Sequence, residues 1–150
     1  MHNGVYMPGR QQELVPTKNF KIGAKQKMNV SIQGVNTILY CRRWQETVVF
    51  YRDVLGFPVT FKNDWFVEFK LNAHARLSVA NEQRATIKSS GGQGLTLAIQ
   101  VDNADEIWRL LQSKGVKVNK IKVHPWGGRS FFLFDPEGNR LEVWSEKNLR

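Results

Sequence analysis

The same order of secondary structure is predicted twice along this chain, and this repeat is the strongest constraint on its fold. Each half opens with a strand pattern, at 35–41 and 95–101, and continues with a helix pattern, at 45–55 and 104–114. Three short strand patterns close each half, at 58–62, 65–71 and 75–80 in the first and at 117–123, 129–134 and 140–145 in the second. A repeat of about 60 residues predicts two copies of one supersecondary unit.

The alternation of side chains along the strands indicates how each unit packs. In the fifth strand, Leu97, Ile99 and Val101 lie on one face, whereas Thr96 and Gln100 lie on the other. We expect the apolar strand faces to pack on the helices and the mixed faces to line a cleft. The predicted fold is therefore α+β, with two tandem βαβββ modules forming curved mixed sheets around a cleft and helices on the outer face.

The chain also divides into an extension and a domain. Residues 1–34 are polar and basic and have little periodic hydrophobicity, which leaves a disordered extension and a partner-binding arm as alternatives. The domain is expected at 35–150, with modules at about 35–80 and 95–146. A polar segment, 81–94, contains Ser-Ser-Gly-Gly and is typical of a flexible linker.

Composition excludes several classes of protein. The 150 residues include a single cysteine, Cys41, and therefore allow no internal disulfide. No apolar run reaches the roughly 18 residues of a membrane span, and no secretory signal is recognisable, so a cytoplasmic location is predicted. The net charge of +9 is scattered along the chain, which favours a basic surface over a nucleic-acid-binding site.

A tight turn near the C-terminus marks a candidate site. The sequence Asp-Pro-Glu-Gly-Asn at 135–139 joins two strand patterns, and the alternation after it places Arg140, Glu142 and Trp144 on one face. A carboxylate among apolar neighbours is costly to bury unless a metal, a cation or a hydrogen bond receives it. Glu142 is therefore the candidate catalytic residue, and a satisfied ion pair with a nearby arginine is its alternative.

With these features the chain resembles the vicinal oxygen chelate superfamily. That group includes glyoxalase I, extradiol dioxygenases, fosfomycin-resistance thiol transferases and bleomycin-resistance proteins. The matching segments are Phe-Tyr-Arg-Asp-Val-Leu-Gly-Phe at 50–57, Val-Asp-Asn at 101–103, Gly-Gly-Arg-Ser-Phe at 127–131, and the turn at 135–139 followed by Leu-Glu-Val. The resemblance implies the fold for about 35–146, but it does not imply one activity, because this fold carries both catalysts and binding proteins.

The resemblance also implies where a metal would be held. Metal-dependent members take histidine and glutamate ligands from the first and last strands of each half, and these positions correspond to Asn36, Ser78, Thr96 and Glu142. Only Glu142 is a strong ligand, since neutral amide and hydroxyl groups bind transition metals poorly. We therefore expect no metal cofactor, with a weakly held divalent cation at Glu142 as the alternative. This departure argues against glyoxalase I and iron dioxygenase activity.

The remaining candidate residues are mostly aromatic. Tyr40 shares a strand face with Asn36, Trp65 begins a strand, and Trp126 lies on a glycine-flanked loop. These three side chains and Trp144 are predicted to contact a ligand, and ordinary packing is the alternative for each. The polar residues Asn36, Ser78 and Thr96 are predicted to contact the same ligand. Arg129, at the rim of the cleft, is predicted to bind an anionic group, with a surface ion pair as its alternative.

These features favour a metal-independent protein that binds a small, aromatic organic molecule, as antibiotic-resistance members of the superfamily do. The basic charge favours a neutral or anionic ligand. A metal-assisted lyase, isomerase or transferase that uses Glu142 is the alternative, so whether the chain is an enzyme stays open. A regulatory or scaffold module with a basic, partner-binding tail is a third possibility. The resemblance also implies a homodimer.

Overall fold

The computed structural model describes residues 16–19, 23 and 27–146. The first module contains β1 (Val35–Cys41), α1 (Trp44–Val49), a π-helical turn (Phe50–Val54), β2 (Val59–Lys62), β3 (Phe66–Lys70) and β4 (Ala75–Asn81). The second contains β5 (Thr96–Gln100), α2 (Ala104–Ser113), β6 (Lys122–Val123), β7 (Arg129–Phe134) and β8 (Arg140–Ser145), and a 3-10 turn at Glu82–Arg84 lies between the modules. Most of the predicted extension, 1–34, lies outside the described residues, so the predictions made for it are not tested.

Each module forms one four-stranded mixed sheet, with the strand orders β1-β4-β3-β2 and β5-β8-β7-β6. The first and last strands of each module run parallel, and the other pairs are antiparallel. Ser78 lies opposite Ile38 and Glu142 lies opposite Ala98, so Ser78 and Glu142 occupy equivalent positions in the repeat. The predicted α+β class and the tandem βαβββ modules are confirmed.

The sixth strand is much shorter than predicted. The pattern at 117–123 predicts seven residues of strand, but only Lys122 and Val123 pair with β7. Asn119 supplies the hydrogen bonds that a longer β6 would make to Phe132 of β7. The Asn119 Oδ1 accepts from the Phe132 N–H at 2.6 Å, and the Asn119 N–H donates to the Phe132 carbonyl at 3.3 Å. A side-chain oxygen thus pairs with a backbone N–H at the edge of β7, and the alternation of side chains in the sequence cannot reveal such a bond.

The apolar faces of both sheets belong to one hydrophobic core. Leu39 and Cys41 of β1 are buried in it, as are Leu141 and Val143 of β8. These positions are the ones that alternation assigns to the helix side of each sheet. The opposite faces carry the mixed residues and are more exposed, as the exposed Thr96, Ala98 and Gln100 of β5 illustrate. Among the described residues, no helix is long and apolar enough to cross a membrane.

The turn at 135–139 joins the two modules. The Tyr51 hydroxyl donates to Asp135 Oδ2 at 2.7 Å, and Glu137 accepts from the N–H groups of Arg42 and Arg43 at 3.0 and 2.9 Å. The Ser89 hydroxyl donates to Glu137 at 2.9 Å, so the segment between the modules is held against the same turn. The Ser-Ser-Gly-Gly portion of the predicted linker thus contacts this turn, and its flexibility stays a prediction.

Candidate functional site

The open face of the second sheet carries the candidate carboxylate. Glu142 lies on β8, with Arg140 and Trp144 on the same face, as alternation predicts. Its side chain is 36% exposed, and its Oε2 lies 3.7 Å from Arg140 Nη2. This geometry matches the ion pair with a nearby arginine that the sequence left as the alternative, and a catalytic role for Glu142 stays a prediction. Glu142 is thus available to a ligand and needs no metal to offset burial.

A small cavity lies beside Glu142. Its volume is about 220 Å³ and it is polar on several sides. The lining residues are Asn119, Lys122, His124, Ser130, Phe131, Phe132, Arg140 and Glu142. Two cationic side chains and one carboxylate therefore surround it, which favours a ligand with negative charge.

An aromatic lip stands next to this cavity. The Trp126 ring stacks on His124 with centroids 5.3 Å apart, and it meets Trp144 edge-on at 6.2 Å. The Trp126 ring packs over Gly128, because a Cβ atom at that position would lie 1.7 Å from the ring and would displace it. The His124 ring is hydrogen-bonded to Ser130, whose Oγ lies 2.8 Å from His124 Nε2. The lip presents an exposed, flat aromatic surface, since Trp126 is 59% exposed.

The open face of the first sheet carries a separate polar network. The Ser78 hydroxyl donates to Asn36 Oδ1 at 2.8 Å, and Asn36 Nδ2 donates to Glu68 at 3.4 Å. Glu68 also accepts from Thr60 Oγ1 at 2.8 Å and lies 3.8 Å from Arg76. The predicted residues Asn36 and Ser78 are thus brought together, and a carboxylate from β3 completes their group.

The other predicted residues lie as follows. Tyr40 is half-buried on β1 opposite Ala80. Trp65 precedes β3 rather than beginning it, and it packs edge-on against Phe66 at 5.6 Å. Thr96 is exposed at the start of β5.

Arg129 forms an ion pair on the helix side of β7. Its Nε lies 2.6 Å from Asp105 Oδ2, and its Nη2 donates to Asp105 Oδ1 at 3.0 Å. Asp105 lies in the first turn of α2, so this pair ties the helix to the sheet. The geometry matches the surface ion pair that the sequence left as the alternative, and anion binding by Arg129 stays a prediction.

The four positions that correspond to metal ligands do not fit a transition metal. Asn36 and Ser78 are hydrogen-bonded to each other, Thr96 offers a hydroxyl, and Glu142 is paired with an arginine. Within the described part of the chain, no group of three His, Cys, Asp or Glu side chains is placed to hold a metal ion. A neutral amide and two hydroxyls are weak donors to such ions, so the donor set does not support metal chemistry.

Neither the cysteine nor the buried tyrosine is suited to nucleophilic chemistry. Burial, and to a smaller extent the carboxylates of Glu137 and Asp135, raise the pKa of the Cys41 thiol to about 12. The pKa of Tyr51 is also raised, first by burial and then by Asp135, which accepts its hydrogen bond. At neutral pH both side chains are therefore protonated, and both belong to the core.

Three contributors to the two open faces were not predicted as site residues. Glu68, Phe132 and Arg140 reach these faces because they lie opposite, or two residues from, the predicted positions. Their parity along each strand is readable from the sequence, but the cross-strand register that brings them beside Ser78 and Glu142 is not. The alternation Val67-Glu68-Phe69 in β3, with a carboxylate between two buried apolar residues, is the signal that points to Glu68.

Comparisons with known proteins agree with this architecture. The family model described as Glyoxalase/Bleomycin resistance protein/Dioxygenase superfamily matches residues 34–143. No curated protein sequence matches significantly. Among solved structures, a lactoylglutathione lyase from Agrobacterium tumefaciens is 28% identical with a TM-score of 0.63, covering 73% of this chain and 90% of that one.

Two further structures are similar in fold. TnmS3, an antibiotic binding protein from Streptomyces sp. CB03234, is 23% identical, with a TM-score of 0.65 and coverage of 81% of this chain and 100% of that one. A bleomycin resistance determinant encoded on the transposon Tn5 is 20% identical, with a TM-score of 0.60 and coverage of 77% and 98%. At these identities the likeness concerns the fold alone.

Proposed function

Because this chain belongs to the glyoxalase/bleomycin resistance protein/dioxygenase superfamily, we propose that it binds a small aromatic organic molecule, without a metal ion, on the open face of its second sheet. The observation that carries this proposal is the aromatic lip of His124, Trp126 and Trp144 beside an open cavity. An exposed, flat aromatic surface next to a few polar groups suits the binding of a planar organic ligand.

The poor fit of the donor set supports the metal-independent part of the proposal. Asn36 and Ser78 are engaged with each other, and Glu142 is the single strong ligand type among the four corresponding positions. Two similar structures bear names that refer to antibiotic binding or bleomycin resistance, which makes antibiotics a suitable class of first probes.

A thermal-shift screen across aromatic metabolites and antibiotics tests the proposal. Hits should be confirmed by titration with wild type and with Trp126→Ala, for which we expect about tenfold weaker binding, in line with roughly 0.5–1.5 kcal/mol for an aromatic contact beyond its buried area. Leu110→Ala is the matched control, because Leu110 is 51% exposed on α2 and should not alter affinity. If no compound stabilises the wild-type protein, the proposal fails.

The alternative is a metal-assisted lyase, isomerase or transferase that uses Glu142. It is favoured by the 28% identity with a lactoylglutathione lyase and by the accessible carboxylate. Elemental analysis of protein purified without chelator discriminates between the two. Stoichiometric nickel, zinc, manganese or iron would favour the enzyme, and a metal content far below one per chain would favour the binding protein.

We also propose that the protein is a homodimer. The exposed outer strand β5, whose Thr96, Ala98 and Gln100 face solvent, is compatible with coverage by a second copy. Light scattering at several protein concentrations measures this directly, and a constant monomer mass would contradict it. Cytoplasmic location and the role of the ligand-contacting residues likewise stay predictions.

A further inference from the structure

The repeat places two arginines in equivalent positions with different surroundings. Arg76 lies opposite Asn36 on β4, and Arg140 lies opposite Thr96 on β8. Arg76 is satisfied within its own module, because its Nη1 donates to the Asn72 carbonyl at 2.9 Å and to the Ala75 carbonyl at 3.3 Å. Its Nε also lies 3.8 Å from Glu68. The Arg76 guanidinium therefore already has hydrogen-bond acceptors and a counter-charge within the protein.

Arg140 has no such acceptors within the described part of the chain. Its guanidinium lies over the Phe132 ring, 4.3 Å from the centroid, and Glu142 is 3.7 Å away, beyond hydrogen-bonding distance. Its Nε is buried and has no hydrogen-bond partner. A guanidinium carries five N–H donors, and leaving buried donors unpaired is costly. The guanidinium therefore stacks on an aromatic ring and makes one long ion pair with Glu142, but it donates no hydrogen bond to an acceptor in the described part of the chain.

The cavity beside Arg140 indicates what the missing acceptor is. Lys122 and Arg140 line it with positive charge, and Glu142 adds one negative charge. A monoanion neutralises the single net positive charge of this set, whereas a dianion would leave an excess of negative charge and would be repelled more strongly by Glu142. A volume of about 220 Å³ lies below the roughly 300–1,000 Å³ of pockets that enclose a whole drug-sized ligand. The cavity therefore suits the head group of a ligand whose remainder lies outside it.

We propose that Arg140 anchors the carboxylate of a monoanionic aromatic acid, whose ring lies against Trp126 and Trp144. This inference rests on the proposed function and names its ligand class. Carboxylate is planar and matches the guanidinium fork with two parallel hydrogen bonds. The Arg140 side chain is 41% exposed, so its terminal Nη groups, rather than the buried Nε, can offer these bonds. The aromatic lip begins at His124, which also lines the cavity, so head group and ring are recognised by adjacent surfaces.

The test uses three probes that share one ring system: 1-naphthoate, its neutral amide 1-naphthamide, and 1-naphthyl phosphate. Affinities are measured by titration calorimetry with the full chain at low and at physiological salt. Variants are Arg140→Gln, which removes the charge, and Arg140→Lys, which keeps the charge and loses the planar fork. Arg76→Gln is the matched control, because Arg76 has the same register position and internal partners. Circular dichroism confirms that each variant is folded.

We expect wild type to bind naphthoate about tenfold to a hundredfold more tightly than naphthamide, as charge-assisted hydrogen bonds suggest, and more tightly than the dianionic phosphate. Arg140→Gln should abolish the preference for naphthoate over the amide, Arg140→Lys should restore it in part, and Arg76→Gln should leave it intact. Added salt should weaken naphthoate more than the amide.

Other outcomes overturn the inference in distinguishable ways. Equal binding of acid and amide, or a preference that survives in Arg140→Gln, would refute the role of Arg140 and leave aromatic binding in place. An equal loss in Arg76→Gln would indicate a general charge effect. Tighter binding of the phosphate would refute the monoanion. Failure of all three probes to bind would refute the ligand class, and the broader library screen would then decide separately on the proposed function.

Discussion

Glu137 is expected to stabilise the contact between the two modules, and removing its carboxylate tests this directly. The helix α1 has no side-chain cap of its own, because Arg43 at its N-cap makes no side-chain cap hydrogen bond. The carboxylate of Glu137, from the other module, accepts the N–H groups of Arg42 and Arg43 instead. It also accepts from the Ser89 hydroxyl. One side chain thus caps a helix, places negative charge at its N-terminus and holds the intervening segment.

The expected loss in the free energy of unfolding follows from these three hydrogen bonds. Loss of an N-cap costs about 0.5–2 kcal/mol, and a hydrogen bond to a charged group contributes about 1.5–3 kcal/mol, less where solvent screens it. Glu137 is half-buried, so we expect Glu137→Gln, which keeps one acceptor oxygen, to lower the free energy of unfolding by about 2 kcal/mol. For a chain of this size, that corresponds to a fall in Tm of roughly 4–8 °C.

Urea denaturation followed by tryptophan fluorescence measures the effect, and Glu46→Gln is the matched control. Glu46 is an acidic residue in the first turn of the same helix, and it makes an exposed ion pair with Arg43 at 3.5 Å. Such pairs contribute about 0–1 kcal/mol, so the control should change stability little. If Glu137→Gln costs no more than Glu46→Gln, the hydrogen bonds across the modules are not what stabilises this contact.

Three further predictions concern the core and the linker. Tyr51→Phe removes the donor to Asp135 and should cost about 1.5–3 kcal/mol in urea denaturation, with Asp135→Asn completing a double-mutant cycle. The Cys41 thiol, whose pKa is raised from 9.0 to about 12, should resist Ellman's reagent until the protein unfolds. Because the unfolded thiol ionises at lower pH than the folded one, the free energy of unfolding should fall as the pH rises from about 9 to 12, and it should fall less steeply in Cys41→Ala. Gly92→Ala should destabilise far more than Gly91→Ala, because both have positive φ but only the former Cβ would meet the turn, 2.1 Å from a carbonyl oxygen; similar Tm values for the two variants would contradict this.

The fold could be predicted from sequence because it is repeated and because burial follows alternation. In β8 the exposure pattern alternates strictly, with Leu141 and Val143 buried and Glu142 between them half-exposed. The helix predicted at 45–55 is present, but only its first part, Trp44–Val49, is α-helical. It continues beyond Val49 as a π-helical turn, in which the Leu55 N–H bonds to the Phe50 carbonyl at 3.0 Å. Hydrophobic spacing near 3.6 does not distinguish these helical forms over a single turn.

The site was harder to predict, because its chemistry depends on partners that are distant in sequence. Glu142 was identified by its own strand, but its exposure depends on how the two sheets leave this face open. The role of Glu137 in capping α1 joins residues about 95 positions apart, which no local pattern encodes. Local signals specify turns and strand faces, whereas register and packing between the modules decide which polar groups remain free.

The turn at 135–139 explains two features of the molecule. Its backbone carbonyls do not accept hydrogen bonds from Arg140, and its side chains bind the first module. In the first module, the turn between β3 and β4 leaves the Asn72 carbonyl open, and Arg76 takes it. In the second module, the carbonyls of Asp135 and Asn139 are taken within the turn itself, by the Gly138 and Asp135 N–H groups.

The Pro136 carbonyl accepts from Arg43 Nη1 at 3.4 Å, so this turn is directed toward the first module. None of these three carbonyls accepts a hydrogen bond from Arg140, whereas the Asn72 carbonyl accepts one from Arg76. The sequence Asp-Pro-Glu-Gly-Asn therefore satisfies its own backbone, caps a helix of the other module and leaves one guanidinium available to a ligand. Substitutions at Glu137 should consequently alter stability without altering the acid-over-amide preference, because they do not supply Arg140 with a new acceptor.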